Sequence, residues 1–412
     1  MSSRPQDPQE KAPRIAVYRS PVLPLSETFI RDQVGAMQRC RATLFGETLF
    51  DSRPVLDGLD VQALWRDSPM GRTLRRADRI AERLIGYSLA KHRGLRRLAP
   101  DLVHVHFATD AVQIWPTVRR LGLPMVVTLH GYDIHTHADW WRAGHGGARM
   151  RDYPERLRAM AADESVHFIA VSQAVRRSAL ARGIGDDRMV IKHIGIPTQG
   201  FPVDGPVPSQ RRPDVLFVGR LVEKKGGRYL IDAAAALRER VPGLRLVFLG
   251  DGPCRDDLAA QAKRLGVEAR FLGAQPQAEV RRQLVSARAL CLPSITAANG
   301  DAEGLPIVLL EAQCAGVPVV TSAKGGSEEG IVDGVTGFGF EEGDVAQLAR
   351  SLEILLTDGA RADAMSREAA QFVRRQFDIT QCTRALEAQY ERILNGVASA
   401  GAVQAQPSWN PR

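Results

Sequence analysis

The segment NGDAEGLPIVLLEAQCAGVPVVTS, residues 299–322, has an order of elements that is typical of parallel α/β sheets. An acidic loop with glycines leads into Pro306, a residue favoured in the first turn of a helix, and an apolar helical run follows to Ala315. Gly316 ends that run, and the β-branched residues 317–321 predict a short buried strand. The segment therefore predicts one helix–strand unit of an α/β domain.

Two glutamates in this segment, Glu303 and Glu311, are eight residues apart and would lie on roughly the same face of a helix. The helix N-terminus offers unpaired N–H groups to a phosphate, and carboxylates accept hydrogen bonds from sugar hydroxyls. In the alternative interpretation, Glu303 is only a favourable charge at the helix N-terminus and Glu311 is solvated. The apolar residues on both sides of Glu311 favour a partnered carboxylate, and hence a site for a molecule with both phosphate and sugar.

A second candidate site begins at Gly219, directly after a predicted strand. This glycine lets the backbone approach a phosphate closely, while Arg220 and Lys225 add a forked donor and a compact positive charge that suit a diphosphate. Gly250 ends the next predicted strand in the same way. Ordinary surface charge is the alternative, and it suffices for Lys224. Neither a Walker A nor a GxGxxG motif is present, which disfavours a P-loop or a standard dinucleotide fold.

Short apolar runs alternate with helical or turn-rich stretches in two successive series. The first series spans residues 14–192, and the second begins at residue 214 after a proline-rich stretch. This pattern predicts two Rossmann-like domains that face each other across a cleft. Ligands of open α/β sheets bind at the carboxyl ends of the strands, where His130 follows the predicted strand 125–129. We therefore treat His130 as a site candidate, although a lone histidine in this place is more often structural.

Composition places further bounds on the function. The 412 residues are 44% hydrophobic and 25% charged, which is typical of a folded chain with two sizeable cores. No run of about 18 apolar residues occurs, and the N-terminus has no apolar core, so neither a spanning helix nor a secretory signal is expected. The five scattered cysteines favour buried thiols in a reducing cytoplasm over disulfides or a zinc site.

The net charge of +8 lies entirely in the first half of the chain, where residues 1–210 carry 30 Lys and Arg against 22 Asp and Glu. Within it, residues 73–97 resemble an amphipathic helix. Its predicted basic side consists of Arg75, Arg76, Arg79, Arg83 and Lys91, and its apolar side of Leu74, Ile80, Leu84, Ile85 and Leu89. This segment predicts contact with an anionic membrane surface or an acidic acceptor, and a solvated helix face is the alternative. The 6% aromatic content gives no support for a nucleic-acid partner.

Four motifs belong together, namely HGYD (residues 130–133), GRLVEKKG (219–226), VFLGDGP (247–253) and EGLPIVLLEA (303–312). As a set they resemble the motifs of the family-4 retaining glycosyltransferases of the GT-B fold. The resemblance covers roughly residues 14–395 and is more specific in the C-terminal half. PLSETFI (24–30) and TAANGDAEG (296–304) look most like bacterial enzymes that build exopolysaccharide, capsule or lipopolysaccharide units on a polyprenyl-diphosphate lipid.

The resemblance implies a role for each candidate residue toward a nucleotide-sugar donor. Gly219 and Gly250 would admit the donor, and Arg220 and Lys225 would hold its diphosphate and stabilise it as the leaving group. Glu311 would bind the ribose hydroxyls.

The donor sugar would be positioned by Glu303 together with the N–H groups near Gly304 and Leu305, and His130 would approach it from the N-terminal domain. The catalytic candidates are therefore His130, Arg220, Lys225 and Glu303. No metal or other cofactor is expected, because Arg220 and Lys225 supply positive charge in place of a cation.

These inferences predict a hexosyltransferase that is cytoplasmic or bound to the inner face of the cell membrane. The predicted organisation is disorder at residues 1–13, an acceptor domain at 14–205, a nucleotide-sugar domain at 206–377, a helix at 378–395 that returns to the N-terminal domain, and a disordered tail at 396–412. The alternatives are another GT-B chemistry, such as sugar-nucleotide epimerisation, and a non-catalytic protein that binds a sugar nucleotide or a polyanion. The nucleotide base, sugar, acceptor, linkage, pathway and oligomeric state stay open.

Overall fold

Two parallel β-sheets, each covered by helices, organise the computed structural model. It describes residues 12–24, 27–49, 56–201, 205–322 and 324–404, with side chains as far as residue 396. The predicted boundary between residues 205 and 206 falls between the two sheets, and the expected disorder of residues 1–11 and 405–412 lies outside the described part.

Seven parallel strands form the N-terminal sheet. They are β1 Arg14–Tyr18, β2 Arg41–Gly46, β3 Asp60–Ala63, β4 Leu102–His106, β5 Met125–Leu129, β6 Val166–Ala170 and β7 Met189–Ile191. Their order in the sheet is β3-β2-β1-β4-β5-β6-β7. The central strands β4 and β5 are buried along their whole length, as expected of parallel strands with helices on both faces. The order reverses between β1 and β4, which opens a crevice at the carboxyl ends of the strands.

Eight α-helices lie within the described residues of the N-terminal domain. They are α1 Thr28–Gly35, α2 Pro69–Ile85, α3 Leu89–Leu98, α4 Ala108–Arg120, α5 Tyr132–His135, α6 Ala138–Arg142, α7 Tyr153–Ala161 and α8 Gln173–Ala181. The predicted amphipathic segment 73–97 is therefore two helices rather than one. Gly86 ends α2 in the left-handed region at φ 83°, and the Ser88 hydroxyl caps α3 by accepting a hydrogen bond from the Lys91 N–H.

Six parallel strands form the C-terminal sheet. They are β8 Asp214–Val218, β9 Arg245–Leu249, β10 Ala269–Phe271, β11 Ala289–Leu292, β12 Val319–Ser322 and β13 Gly337–Phe340, in the order β10-β9-β8-β11-β12-β13. The helices are α9 Gly227–Leu237, α10 Arg255–Arg264, α11 Gln277–Ser286, α12 Ile307–Cys314, α13 Val345–Thr357, α14 Gly359–Gln376 and α15 Ile379–Gln404. The segment 299–322 supplies α12 and β12, the helix–strand unit that it predicts.

The last helix, α15, crosses back and packs on the N-terminal sheet, as predicted. Leu386, Tyr390 and Ile393 are buried in one apolar cluster with residues of β1. The Glu387 carboxylate accepts hydrogen bonds from the N–H groups of Gln38 at 2.9 Å and Arg39 at 2.6 Å. These contacts attach the C-terminal end of the chain to the first domain.

The predicted end of this helix at residue 395 is wrong, because α15 continues to Gln404. Residues 396–404 contain three alanines and no proline, so local propensity allows the helix to extend. Among the described residues, no helix is both long enough and apolar enough to cross a membrane.

Candidate active site

A cleft of about 780 Å³ lies between the two domains, at the carboxyl ends of β8 and β9. It is lined by the turns after these strands, by the first turns of α11 and α12, and by α1 from the N-terminal domain. Five predicted site residues lie in its wall, namely Gly219, Arg220, Lys225, Gly250 and Glu311. The structure thus brings together residues that are up to 92 positions apart in the sequence.

The two glycine turns pack directly against each other. The Gly219 N–H donates to the Leu249 carbonyl at 3.0 Å, and a Cβ atom on Gly250 would lie 1.9 Å from the Gly219 carbonyl oxygen. No side chain fits at position 250, so main chain alone forms this part of the cleft wall. A bulky ligand group can therefore approach the backbone closely.

Lys225 and Glu303 form an ion pair at the edge of the cleft. The Lys225 Nζ lies 2.7 Å from Glu303 Oε1, and the Ser294 hydroxyl donates to the same carboxylate at 2.9 Å. Burial acts to raise the pKa of Glu303, but the charges of Lys225 and Lys224 and these hydrogen bonds outweigh it and lower the pKa to about 2. Glu303 is therefore a carboxylate at neutral pH, and it orients Lys225.

The neighbouring cations are held differently. Lys224 is nearly buried and lies 2.9 Å from Asp301, so the interpretation of Lys224 as ordinary surface charge is wrong. Arg220 is exposed to the cleft and forms no ion pair with any residue in the described part of the chain. Its guanidinium is consequently available to an anionic ligand.

Glu311, on α12, also lies in the wall of the cleft. Its side chain is buried, and its one described side-chain partner is the Gln277 amide, which donates at a long distance of 3.5 Å. Burial raises the pKa of Glu311 to about 7, and the Gln277 hydrogen bond and Arg281 offset this only in part. A carboxyl group in this state would gain from hydroxyl donors on a ligand.

The start of α12 points its main chain at the same space. Pro306, Ile307 and Val308 line the cleft, and first-turn N–H groups have no partner within their own helix. Leu305, by contrast, is buried in the core between the sheets. The helix N-terminus is thus available to an anion, as the sequence predicts.

The loop that contains His130 contacts the C-terminal domain at Gly304. A Cβ atom on Gly304 would lie 1.9 Å from the His130 carbonyl oxygen, so the two loops touch through their main chains. Asp133 Oδ1 fixes the loop by accepting hydrogen bonds from the N–H groups of His130 and Gly131, each at 3.0 Å. Gly304 therefore lies beside His130. The wall of the interdomain cleft does not include His130, Glu303, Gly304 or Leu305.

Behind His130, imidazole rings continue into the core. His130 Nε2 lies 3.0 Å from His106 Nδ1, and the ring centroids of His104 and His106 are 4.5 Å apart. The Tyr390 hydroxyl of α15 lies 2.6 Å from His104 Nδ1. Burial lowers the pKa of His104 and of His130 to about 3, so both rings are neutral at pH 7.

Two polar residues that no sequence motif indicates join the domains across the cleft. The Arg31 guanidinium, on α1, donates to Gln277 Oε1 at 2.9 Å, and the Gln277 amide contacts Glu311. Both residues also line the cleft. No motif singled them out, and only the position of Arg31 within the helix that starts at the PLSETFI segment associates it with the site.

A second missed group supports His130 from the first domain. Arg19, after β1, forms ion pairs of 2.7 Å with both Glu27 and Asp110, and its guanidinium lies 4.8 Å from the Phe107 ring centroid. The Phe107 ring in turn lies 4.3 Å from that of His130. Arg19 thus contacts the Phe107 ring, which packs on His130. Among the described residues, no three His, Cys, Asp or Glu side chains are grouped to hold a metal ion.

Comparison with known protein families matches both halves of the chain. Residues 48–199 match the model described as Glycosyltransferase Family 4, and residues 205–372 match the model described as Glycosyl transferases group 1. The first match covers β3 to β7 of the N-terminal sheet, and the second covers all six strands of the C-terminal sheet.

Curated relatives include proteins of several polysaccharide and glycolipid systems. A glycogen synthase of Mycobacterium tuberculosis is 31% identical over 69% of this chain and 66% of the relative. The amylovoran biosynthesis glycosyltransferase AmsK of Erwinia amylovora is 30% identical over 61% of this chain and 60% of the relative. A GDP-mannose-dependent phosphatidylinositol monomannoside mannosyltransferase of Mycolicibacterium smegmatis is 31% identical over 64% of this chain and 70% of the relative.

Among solved structures, Anabaena HepE in complex with UDP and glucose superposes with a TM-score of 0.74 and 19% identity, and covers 92% of this chain and 100% of HepE. This likeness concerns the fold, and it confirms the predicted pair of Rossmann-like domains with the GT-B arrangement. Together with the family matches it confirms the predicted family. The chain therefore belongs to the family-4 glycosyltransferases of the GT-B fold.

Proposed function

We propose that this protein is a retaining hexosyltransferase that moves a sugar from a nucleotide-sugar donor to a saccharide acceptor. The observation that carries the proposal is the convergence on one cleft of exposed Arg220, the oriented Lys225, the α12 N-terminus and buried Glu311. Cations and helix N–H groups suit a diphosphate, and a buried carboxyl group suits the vicinal hydroxyls of a ribose.

Within this proposal, the diphosphate lies between Arg220, Lys225 and the first turn of α12. Arg220 binds through its planar fork, while Glu303 keeps the Lys225 ammonium in place before the ligand arrives. Groups that are already oriented need little rearrangement as charge develops on the leaving group. Positive charge is thereby supplied by side chains, which is why we propose a metal-independent reaction.

The sugar lies toward Glu303, Gly304 and His130, where the two domains touch. Transfer breaks the bond between the anomeric carbon and the phosphate oxygen, with the electron pair passing to the diphosphate. The acceptor oxygen bonds to the same face of the anomeric carbon, and its proton passes to the departing phosphate. This front-face route agrees with the ion pairing of Glu303, since a carboxylate already bound to Lys225 and Ser294 is a poor nucleophile.

We further propose that the acceptor is a lipid-linked saccharide, with a polyprenyl diphosphate as the lipid, in bacterial exopolysaccharide or capsule synthesis. AmsK, a relative named for amylovoran biosynthesis, supports this pathway class. The PLSETFI segment, which resembles such enzymes and whose residues Thr28 and Phe29 line the cleft from the N-terminal domain, also supports it.

A lipid-linked acceptor requires access to a membrane, and α2 has the surface for it. Met70, Leu74, Ala77, Ala81 and Leu84 follow one another at spacings of four and three residues and therefore share one face of the helix. This apolar face points outward, and Met70 is 73% and Leu84 82% exposed. A surface helix of a globular protein normally buries such a face.

The opposite face of α2 is polar and points inward. The Glu47 carboxylate accepts from Arg75 at 2.6 Å and pairs with Arg79 at 3.5 Å and with buried Lys91 at 3.1 Å. The predicted basic side is thus wrong for Arg75, Arg79 and Lys91, because one buried carboxylate draws them inward. Arg76 and Arg83 stay exposed beside the apolar face. We propose that this face binds anionic lipid and brings the cleft to its acceptor.

The proposed reaction is tested by incubating the full chain with a panel of UDP- and GDP-sugars and synthetic polyprenyl-diphosphate saccharides. Mass spectrometry should detect one glycosylated product, and NMR should show an anomeric configuration equal to that of the donor. An inverted configuration would overturn the retaining mechanism. If no donor yields a glycosylated product and no donor is hydrolysed to free sugar, the transferase assignment is overturned.

A further inference from the structure

Two imidazoles at the domain contact share one hydrogen bond and differ in what surrounds their other nitrogens. His106 Nδ1 lies 3.0 Å from His130 Nε2. His106 is fully buried, and its Nε2 has no hydrogen-bonding partner among the described residues. His130 is only half-buried, and its Nδ1 is bound by no residue in the described ranges.

A neutral imidazole carries one proton on one of its two nitrogens, so the shared bond links the protonation of both rings. If His130 Nε2 donated, His106 Nδ1 would accept, and the buried His106 Nε2 would carry an unpaired N–H. If His106 Nδ1 donates instead, its Nε2 is a bare acceptor. Orphaned buried N–H groups are rarer in proteins than unsatisfied acceptors, so the second arrangement is favoured.

The neighbouring ring does not change this choice. His104 is bonded to the Thr128 hydroxyl at 2.7 Å and to the Tyr390 hydroxyl at 2.6 Å, and hydroxyls donate or accept as needed. His104 can therefore adopt either tautomer without affecting His106. Burial also lowers the pKa of His106 well below its usual value, which keeps the ring neutral.

We propose that His106 is a positioning residue that holds His130 in its Nδ1–H tautomer, so that His130 acts as a neutral hydrogen-bond donor and not as a base. With Nε2 accepting from His106, the one free nitrogen of His130 carries a proton. It can donate to an oxygen of the sugar or the phosphate but cannot remove a proton from the acceptor hydroxyl. This inference rests on the proposed function for the identity of the ligand, but the tautomer itself is a property of the free protein.

The direct test is an NMR measurement on the full chain labelled with ¹⁵N-histidine, without any ligand. The variant His130→Gln identifies the signals of His130. We expect a protonated, pyrrole-type Nδ1 and an unprotonated, pyridine-type Nε2 at neutral pH. The reverse assignment, or an imidazolium, would overturn the proposal. This readout stands even if no nucleotide sugar is turned over, so the failure of the proposed function would be recognised separately.

The role of His106 is tested by two substitutions that differ in hydrogen bonding. His106→Leu removes the donor, so His130 should populate both tautomers and kcat should fall about tenfold, with KM for the donor little changed. His106→Asn keeps an N–H in a similar place and should recover most of both effects. His145→Gln, at a ring outside this group, is the control. A thermal unfolding measurement verifies that the His106→Leu variant is folded. If the His130 signals of this folded variant are unchanged, His106 does not set the tautomer.

Discussion

The two basic regions of this protein use positive charge in opposite ways. In the cleft, Lys224 and Lys225 are each held by one carboxylate at 2.9 and 2.7 Å and are largely withdrawn from solvent. On α2, the exposed cations Arg76 and Arg83 flank an apolar face that also points to solvent. The cleft has fewer cations than the helix, but carboxylates fix the directions of two of them, Lys224 and Lys225.

This difference indicates what each region can recognise. Oriented cations select a small ligand by geometry, because their donors are already aimed at one point. Exposed arginines on flexible stems select a surface by its average charge, and they do so with a strength that depends on salt. The number of charges in a segment is therefore a poor guide to its function, and the burial and pairing of those charges are a better one.

The largest effect should come from the cleft. Replacing Arg220 or Lys225 by Ala should lower kcat by about a hundredfold or more, since each removes charge that stabilises the leaving diphosphate. Steady-state kinetics measure this, and circular dichroism verifies the fold. Lys263→Ala, on the exposed side of α10, is the matched control and should change nothing. Full activity in both cleft variants would remove the basis for the assigned roles.

The α2 surface should show its effect only with membranes. Changing Arg76 and Arg83 to Ser should lower the affinity for anionic vesicles roughly thirtyfold, because each arginine near the surface contributes about 1 kcal/mol to binding. Sedimentation with vesicles measures this affinity. Turnover of a soluble acceptor should be unaffected. The control is the pair Lys263→Ser and Arg264→Ser. Leu84→Ser should weaken the part of binding that survives high salt. Equal binding to neutral and anionic vesicles would show that Arg76 and Arg83 belong only to a solvated face.

Glu311 should make nucleotide binding depend on pH. Its pKa of about 7 means that the carboxylate which accepts from ribose hydroxyls is mostly absent at pH 6. Affinity for a nucleoside diphosphate should therefore rise by about tenfold between pH 6 and pH 8 from this group alone. Calorimetry should show that Glu311→Gln weakens binding and loses that part of the pH dependence. Glu303→Gln should instead impair transfer and leave the affinity within about twofold. The same profile for both variants would contradict the division of roles.

Stability supplies an independent check with a defined sign. The folded pKa of Glu311 lies above its ordinary value, so the protonated form favours folding, and this contribution is lost as pH rises from about 4.5 through 7. Glu311→Gln should accordingly raise the Tm at pH 8 and have little effect at pH 5. A lower Tm at pH 8 would indicate that the carboxylate is stabilised in the unliganded protein by more than the long hydrogen bond from Gln277.

The smallest expected effect is that of metal removal. Because protein cations are proposed to hold the diphosphate, turnover should persist in excess chelator. A loss of activity that magnesium or manganese restores would show that Arg220 and Lys225 do not replace a cation.

The sequence predicts the strand bounds well where packing and local pattern agree. Met125–Leu129 is a nearly continuous apolar run, and the strand predicted over residues 125–129 has the observed ends. The edge strands β3 and β13 were missed. Asp60–Ala63 is half polar and Gly337–Phe340 is half glycine, so both depend on a neighbouring strand rather than on their own pattern.

The candidate site could be predicted only as far as its residues lie in glycine turns or at a helix start. Arg220, Lys225 and Gly250 carry such local signs, and they line the cleft. Arg31 and Gln277 carry none, because their importance arises from two domains meeting. The inward face of α2 was not predictable either, since Glu47, far away in sequence, draws Arg75 and Arg79 inside.

The central claim is that the interdomain cleft binds a nucleotide sugar through its cations and Glu311. The most direct measurement is a crystal structure of the full chain with UDP or GDP. We expect the diphosphate oxygens within hydrogen-bonding distance of Arg220 and Lys225, and the ribose hydroxyls on the Glu311 carboxylate. A nucleotide bound elsewhere, or a cleft that stays empty with both nucleotides at saturating concentration, would contradict the account.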